Sequence, residues 1–156
     1  ANHFISRMPF DSPCWIVWDK HREKQDFADC ELAWTSFPSG VKKFSFAWDG
    51  FRQGYIGKKE VRIHPTQKPT ALYKWLLKNY AKPGDKILDT HCGSGSILIA
   101  CDIIGYSIDA YEIDTEYFTA AKLRLERHQN QSVLPLDPPL QGSIQQLLSD
   151  NKKDIK

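Results

Sequence analysis

The sequence predicts an α/β fold in which strands and helices alternate about a mainly parallel sheet. Three observations predict it. A short apolar run, Lys86-Ile87-Leu88-Asp89, leads straight into a glycine loop, His91-Cys92-Gly93-Ser94-Gly95. An apolar helical stretch over 96–104 follows that loop, and Gly105 ends it. A second strand over 106–113 and a second amphipathic helix over 116–128 repeat the order. Parallel neighbours need a crossover of a dozen or more residues, usually a helix, so this order specifies a parallel pair. One such unit is half of a nucleotide-binding sheet, and the sheet is therefore expected to be incomplete.

The elements before it read as follows. Cys14-Trp15-Ile16-Val17-Trp18 is apolar, β-branched and aromatic, which suits a buried strand. Residues 20–29 are polar and form a loop. Residues 31–37 and 43–48 are two further strands, and Pro38-Ser39-Gly40 between them predicts a hairpin. Residues 49–60 hold Gly50, Gly54 and Gly57 and read as an exposed, mobile loop. In His64-Pro65-Thr66-Gln67-Lys68-Pro69 the prolines push His64 and Lys68 toward extended conformations, giving a stiff connector. Thr70 caps a helix through about Tyr80, with Leu72, Trp75, Leu76 and Tyr80 at 3–4 spacing. Lys82-Pro83-Gly84-Asp85 is a turn. Residues 1–130 form the domain; 131–156 is a polar tail with one short helical segment at 144–148.

With 156 residues, 41% hydrophobic and 26% charged, the chain reads as one soluble globular domain. It has no apolar run near membrane-spanning length and no signal-peptide pattern at its start. Cys14, Cys30, Cys92 and Cys101 lack C-x-x-C spacing and read as free thiols in a reducing cytoplasm, with no metal implied. The net charge of +2 hides a segregation: residues 1–37 carry four basic and six acidic side chains, residues 38–68 seven basic and two acidic. A basic middle segment fits a polyanion, since Lys and Arg that neutralise phosphates release counterions. A solvated lysine-bearing loop is the other reading.

The chemistry concentrates in the glycine loop. Gly93 and Gly95 let a ligand approach the backbone, and the helix behind them offers unpaired N–H groups. Glu112, at the end of the following strand, stands where an acid accepts ribose hydroxyls in dinucleotide-type sites. A dinucleotide is disfavoured, because the third glycine of that fingerprint is replaced by Leu98. Asp89, before the loop, sits poorly with a pyrophosphate and suits a ligand with a cationic amino group, such as the methionine end of S-adenosylmethionine.

The proline-bracketed connector, Asp89-x-x-x-Gly93-Ser94-Gly95-Ser96, then Tyr111-Glu112-Ile113-Asp114 with Tyr117 and Ala121-Lys-Leu-Arg-Leu, closely resemble DNA N6-adenine and N4-cytosine methyltransferases of the permuted, β-class motif order. The resemblance covers about residues 1–130. It implies a partial Rossmann-like methyltransferase fold with S-adenosylmethionine as cofactor and double-stranded DNA as partner. It implies that Asp89 faces the methionine amine, Gly93, Ser94 and Gly95 allow close approach, and Glu112 with Ile113 holds the nucleoside. Thr66 and Lys68 would line the methionine side. His91 stands where many relatives have a Phe. Residues 41–62 would be a short recognition region, with Lys42, Lys43, Arg52, Lys58, Lys59 and Arg62 on DNA.

The family's Asp-Pro-Pro-aromatic tetrapeptide, which holds the flipped base, has no match upstream of Trp15. Asp137-Pro138-Pro139-Leu140 lacks the ring and follows the last helix too closely. No catalytic residue is therefore assigned. The chain is expected to be the cofactor-binding part of an adenine-N6 methyltransferase, inactive without an N-terminal segment or complementing chain, or self-paired as a dimer. A cytosine-N4 enzyme and a non-enzymatic cofactor- or DNA-binding remnant are the alternatives.

Overall fold

The computed structural model describes residues 7–8, 11–22, 28–49, 52–54 and 59–131. The chain divides into two compact units, residues 1–125 and 126–156; of the second, only the end of one helix, 126–131, is described. The tail beyond 131, with its 144–148 helix and the Asp137-Pro138-Pro139-Leu140 run, lies outside the described residues, as does Lys58.

Within the first unit the fold is α/β. Strands β1 (Trp15–Asp19), β2 (Cys30–Trp34) and β3 (Lys42–Ser45) form one sheet in the order β2-β1-β3. Helix α1 (Thr70–Tyr80) follows, then β4 (Lys86–Asp89), α2 (Ser96–Ile104), β5 (Ser107–Ala110) and α3 (Thr115–Gln131). Strands β4 and β5 pair in parallel, Asp89 opposite Ala110, so the loops after both strands emerge at the same end. That is the predicted parallel unit, with the second strand shorter than the 106–113 expected. Gly105, at φ +91°, ends α2 as anticipated.

The predicted hairpin does not form. Strands β2 and β3 both exist, but each pairs with β1, on opposite edges: β2 antiparallel and β3 parallel. The reason lies in β1, whose Ile16 and Trp18 are buried while their neighbours are not, so it occupies the centre. The turn at 35–41 is held against the start of β1: the Thr35 hydroxyl donates to the Cys14 carbonyl at 2.7 Å and the Ser39 hydroxyl to Cys14 Sγ at 3.2 Å. That segment is long enough to carry the chain across β1 to its far edge, about 10 Å away for two strand spacings.

Helix α1 joins two cores. Leu72, Trp75 and Leu76 pack with Trp18, Phe44 and Trp48 over the three-stranded sheet. Leu77 and Tyr73 pack with Ala100, Cys101, Ile87 and Ile108 beside the two-stranded one. Burial pushes the Tyr73 hydroxyl up to about 12, helped by the nearby Asp89 charge. Thr70 does not cap this helix. Pro69 is the capping residue and supplies no side-chain bond; the Thr70 N–H donates instead to Glu60 Oε1 at 2.9 Å.

The connector is stiff for a second reason beyond its prolines. The Gln67 side chain is buried, accepts the Ile63 N–H at 2.9 Å and donates to the Val61 carbonyl, while the Gln67 backbone carbonyl accepts the Trp48 indole N–H at 2.9 Å. The 49–60 segment is only partly described. Its described portion folds back on itself, with Trp48 bridged to Gln53 and the Gln53 side chain bonded to both the N–H and the carbonyl of Glu60.

Candidate functional site

The loops after β4 and β5 meet. The Tyr111 N–H donates to the Asp89 carbonyl at 2.8 Å, and the Cys92 N–H to the Tyr111 carbonyl at 2.9 Å. Gly93 at φ +50° and Gly95 at φ +69° both take left-handed backbone, which a side chain resists. At Gly95 a Cβ would also stand 3.1 Å from Ala121 Cβ and from Leu98 Cδ1, so this glycine lets α3 close against the loop.

Glu112 ties the loop to the second strand. Its Oε2 accepts the Gly93 N–H at 2.9 Å and its Oε1 the Asp114 N–H at 3.0 Å. The Asp114 bond first, then those of Gly93 and Ile113 and the His64 charge, hold the Glu112 carboxyl below the usual carboxylate range against partial burial. A carboxylate carries about four lone-pair sites, so these backbone donors leave room for hydroxyls of a ligand. Ile113, beside it, is 96% exposed. Asp89 accepts the His91 N–H on Oδ1 at 2.9 Å; among the described residues Oδ2 accepts no hydrogen bond. The buried Cys92 thiol is pushed up by burial and by the Asp89 and Glu112 charges, so it stays protonated and inert.

The structure thus brings Asp89, His91, Gly93, Gly95, Glu112 and Ile113 to one end of the parallel pair. Ser94 belongs to the loop but faces inward: it is 4% exposed, and its hydroxyl lies 3.2 Å from Ser96 Oγ. Lys68 meets the loop through its backbone, its carbonyl accepting the Ser96 hydroxyl at 2.7 Å. Thr66 is exposed, with its N–H and hydroxyl on His64 Nδ1.

Four further residues stand at the site without a role expected from the sequence: His64, Arg124, Glu60 and Asp114. The His64 ring lies 3.7 Å from where a Gly93 Cβ would stand and packs on Tyr117 with centroids 4.2 Å apart. Its motif is conspicuous in the sequence, but only its neighbours Thr66 and Lys68 carry an expected role there. Arg124 and Glu60 form an ion pair at 2.6 Å beside the loop, and no spacing pattern links residues so far apart. Asp114 has a structural role, accepting the Glu116 and Tyr117 N–H groups at the start of α3.

The residues expected on DNA lie on β3, in the partly described 49–60 segment and just before the connector. Lys42 and Lys43 stand exposed on β3, Lys43 at 3.4 Å from Asp19. Arg52 pairs with Asp49 at 2.9 Å, and Arg62 donates to the Pro65 carbonyl at 2.6 Å. Lys59 is exposed. The Lys43–Asp19 pair is exposed and contributes little, so Lys43 can turn to another anion at small cost.

Comparison with known proteins follows the same segments. The family model described as DNA methylase, covering N6 and N4 methyltransferases, matches residues 11–123. The type II methyltransferase M.HpaI of Haemophilus parainfluenzae is 35% identical over 93 residues, which is 60% of this chain and 27% of that protein. The DNA adenine methyltransferase YhdJ of Escherichia coli (strain K12) is 38% identical over 82 residues, 51% of this chain and 26% of that protein. The chain therefore aligns with about a quarter of the length of either curated relative. Among solved structures, the M1.HpyAVI–SAM complex matches with a TM-score of 0.51 and 30% identity, over 71% of this chain and 60% of the other. The parallel pair with its glycine loop is part of a methyltransferase fold, and the chain belongs to the N6/N4 DNA methylase family.

Proposed function

We propose that this chain is the S-adenosylmethionine-binding part of a DNA adenine-N6 methyltransferase and that it transfers no methyl group on its own. The observation that carries the reading is the closure of the loop on Glu112: a positive-φ glycine loop at the ends of parallel strands, with the Glu112 carboxylate 2.9 Å from the Gly93 nitrogen. The donor set fits the cofactor. Glu112 has capacity for ribose hydroxyls, Ile113 offers an uncovered apolar side chain for an adenine face, and Asp89 Oδ2 is left for a cationic amine. His91, Thr66 and Lys68 stand around the same loop and would border the methionine end. Bound there, the cofactor supplies an electrophilic methyl group. The chain's residues position it, and methyl transfer to an exocyclic amine draws mainly on such positioning.

Two features bear on the substrate. One relative matched is named a DNA adenine methyltransferase, which favours adenine over cytosine. Residues 41–62, with Lys42, Lys43, Arg52, Lys58, Lys59 and Arg62, form the basic segment that would follow duplex phosphates. No helix among the described residues is long and apolar enough to cross a membrane, and a cytoplasmic enzyme acting on DNA is the reading in keeping with that. The reading that the chain alone is inactive rests on what a flipped base needs, an acceptor for its amino hydrogens and a ring to stack on, which the family's Asp-Pro-Pro-aromatic motif would hold and for which residues 11–123 have no sequence match.

Labelled methyl incorporation into duplex DNA tests the proposal. The 156-residue chain alone should give none, and addition of a segment bearing an Asp-Pro-Pro-aromatic motif should restore transfer to adenine N6. Robust transfer by the chain alone, abolished by Asp137→Ala, would contradict it, and label on cytosine N4 would reassign the substrate.

A further inference from the structure

Gly93 and Gly95 make the loop soft, since a glycine visits left- and right-handed backbone with equal ease. A ligand site needs that loop in one conformation, so other groups must hold it. Arg124 on α3 does so at two points. Its Nη1 donates to the Ser94 carbonyl at 2.8 Å and to Ser96 Oγ at 2.9 Å, on either side of Gly95. The peptide plane between Ser94 and Gly95 is pinned at both ends, because the Gly95 N–H donates to the Cys92 carbonyl at 2.9 Å.

Arg124 is itself aimed by Glu60. Its Nη2 donates to Glu60 Oε2 at 2.6 Å, and Glu60 Oε1 accepts the first N–H of α1. The two side chains are only 14% and 15% exposed. A desolvated ion pair is weak evidence for stability, because burying both charges offsets most of their attraction. What it does supply is geometry. A planar guanidinium reaches three acceptors at fixed angles, which an ammonium on a flexible stem does not.

We propose that Arg124 and Glu60 are positioning residues for the cofactor loop, fixing the 93–96 backbone in the conformation that receives the ligand. The inference rests on the functional reading above, yet it makes a separate claim about the loop in the free protein.

The test compares the full chain with Arg124→Lys, Glu60→Gln and Ser96→Ala, which removes one acceptor of Arg124 together with the donor to the Lys68 carbonyl but leaves the Arg124–Glu60 pair in place. Three quantities are read: the thermal midpoint, amide hydrogen exchange of residues 93–96 against the interiors of α1 and α2, and calorimetric affinity for S-adenosylmethionine well below every midpoint. Arg124→Lys and Glu60→Gln should bind about tenfold more weakly, a change of ~1.4 kcal/mol, with faster exchange confined to the loop. Ser96→Ala should shift both readouts less, in the same direction. Lower midpoints with affinity within about twofold and unchanged loop exchange would show a purely structural pair and overturn the inference. If the unaltered chain fails to bind the cofactor, the functional reading falls, and loop exchange in Arg124→Lys still decides this one.

Discussion

Gly84 and Gly95 both hold left-handed backbone, at φ +87° and +69°, yet they differ in what surrounds them. A Cβ at Gly84 would meet nothing within 4 Å, whereas at Gly95 it would press on Ala121 and Leu98 at 3.1 Å. Gly84→Ala should therefore cost only backbone strain, about 1–2 kcal/mol. Gly95→Ala should add overpacking and reach about 2–5 kcal/mol. Denaturant unfolding of both variants checks the order, and equal losses would mean that α3 does not rest on the loop. The Glu112 carboxyl gives a second residue-scale test. Its folded pKa is depressed, so its contribution is present above the unfolded value, about 4.3, and is lost as pH falls through the lower folded one. Stability measured from about pH 7 down to about pH 3 should fall more steeply for the unaltered chain than for Glu112→Gln, since only the former carries the titrating group. Parallel curves would remove the Gly93 and Asp114 bonds from the account. The places of Glu112 and the glycines are legible in the sequence because they stand at set offsets from the ends of β4 and β5. The inward turn of Ser94 and the clamp of Arg124 on Glu60 are not, because they depend on which faces of α3 and the connector meet.

At the scale of elements, α1 shows what local pattern encodes and what it omits. Its boundaries follow from Pro69 and the turn at 82–85, and the structure matches them. Its division between two cores does not follow from pattern. Leu72, Trp75 and Leu76 face one sheet and Tyr73 and Leu77 the other, which a single helical stripe does not reveal. The β2–β3 hairpin misleads for a related reason. Turn chemistry at Pro38-Ser39-Gly40 specifies a reversal, and the burial of β1 decides which strand lies between. Strand β3 carries Lys42 and Lys43 in exposed positions, and Lys59 and Arg62 precede the connector. Converting these four to Glu in protein competent to bind duplex DNA should flatten the slope of log affinity against log salt, by about 0.9 for each phosphate they neutralise. An unchanged slope would mean that the basic segment faces something other than DNA.

For the whole molecule, the described strands form two separate sheets, β2-β1-β3 and β4-β5, each packed against α1. Leu88 on β4 is 64% exposed and Tyr111 61%, an amount of uncovered apolar surface that fits part of a larger sheet. The strand–loop–helix order that makes β4 and β5 a parallel pair is legible in the sequence. The separation of the sheets is not, because it depends on long-range pairing that no local pattern carries. The central claim is that the loop over residues 89–95, closed by Glu112, receives S-adenosylmethionine rather than a dinucleotide. Calorimetric titration of the full chain with S-adenosylmethionine and with NAD, repeated on Glu112→Ala, tests it most directly. The account predicts saturable binding of S-adenosylmethionine, none of NAD, and a loss of about 10- to 100-fold in the variant, as for hydrogen bonds to a charged group. Binding of NAD in place of S-adenosylmethionine, or an affinity untouched by Glu112→Ala, would contradict it.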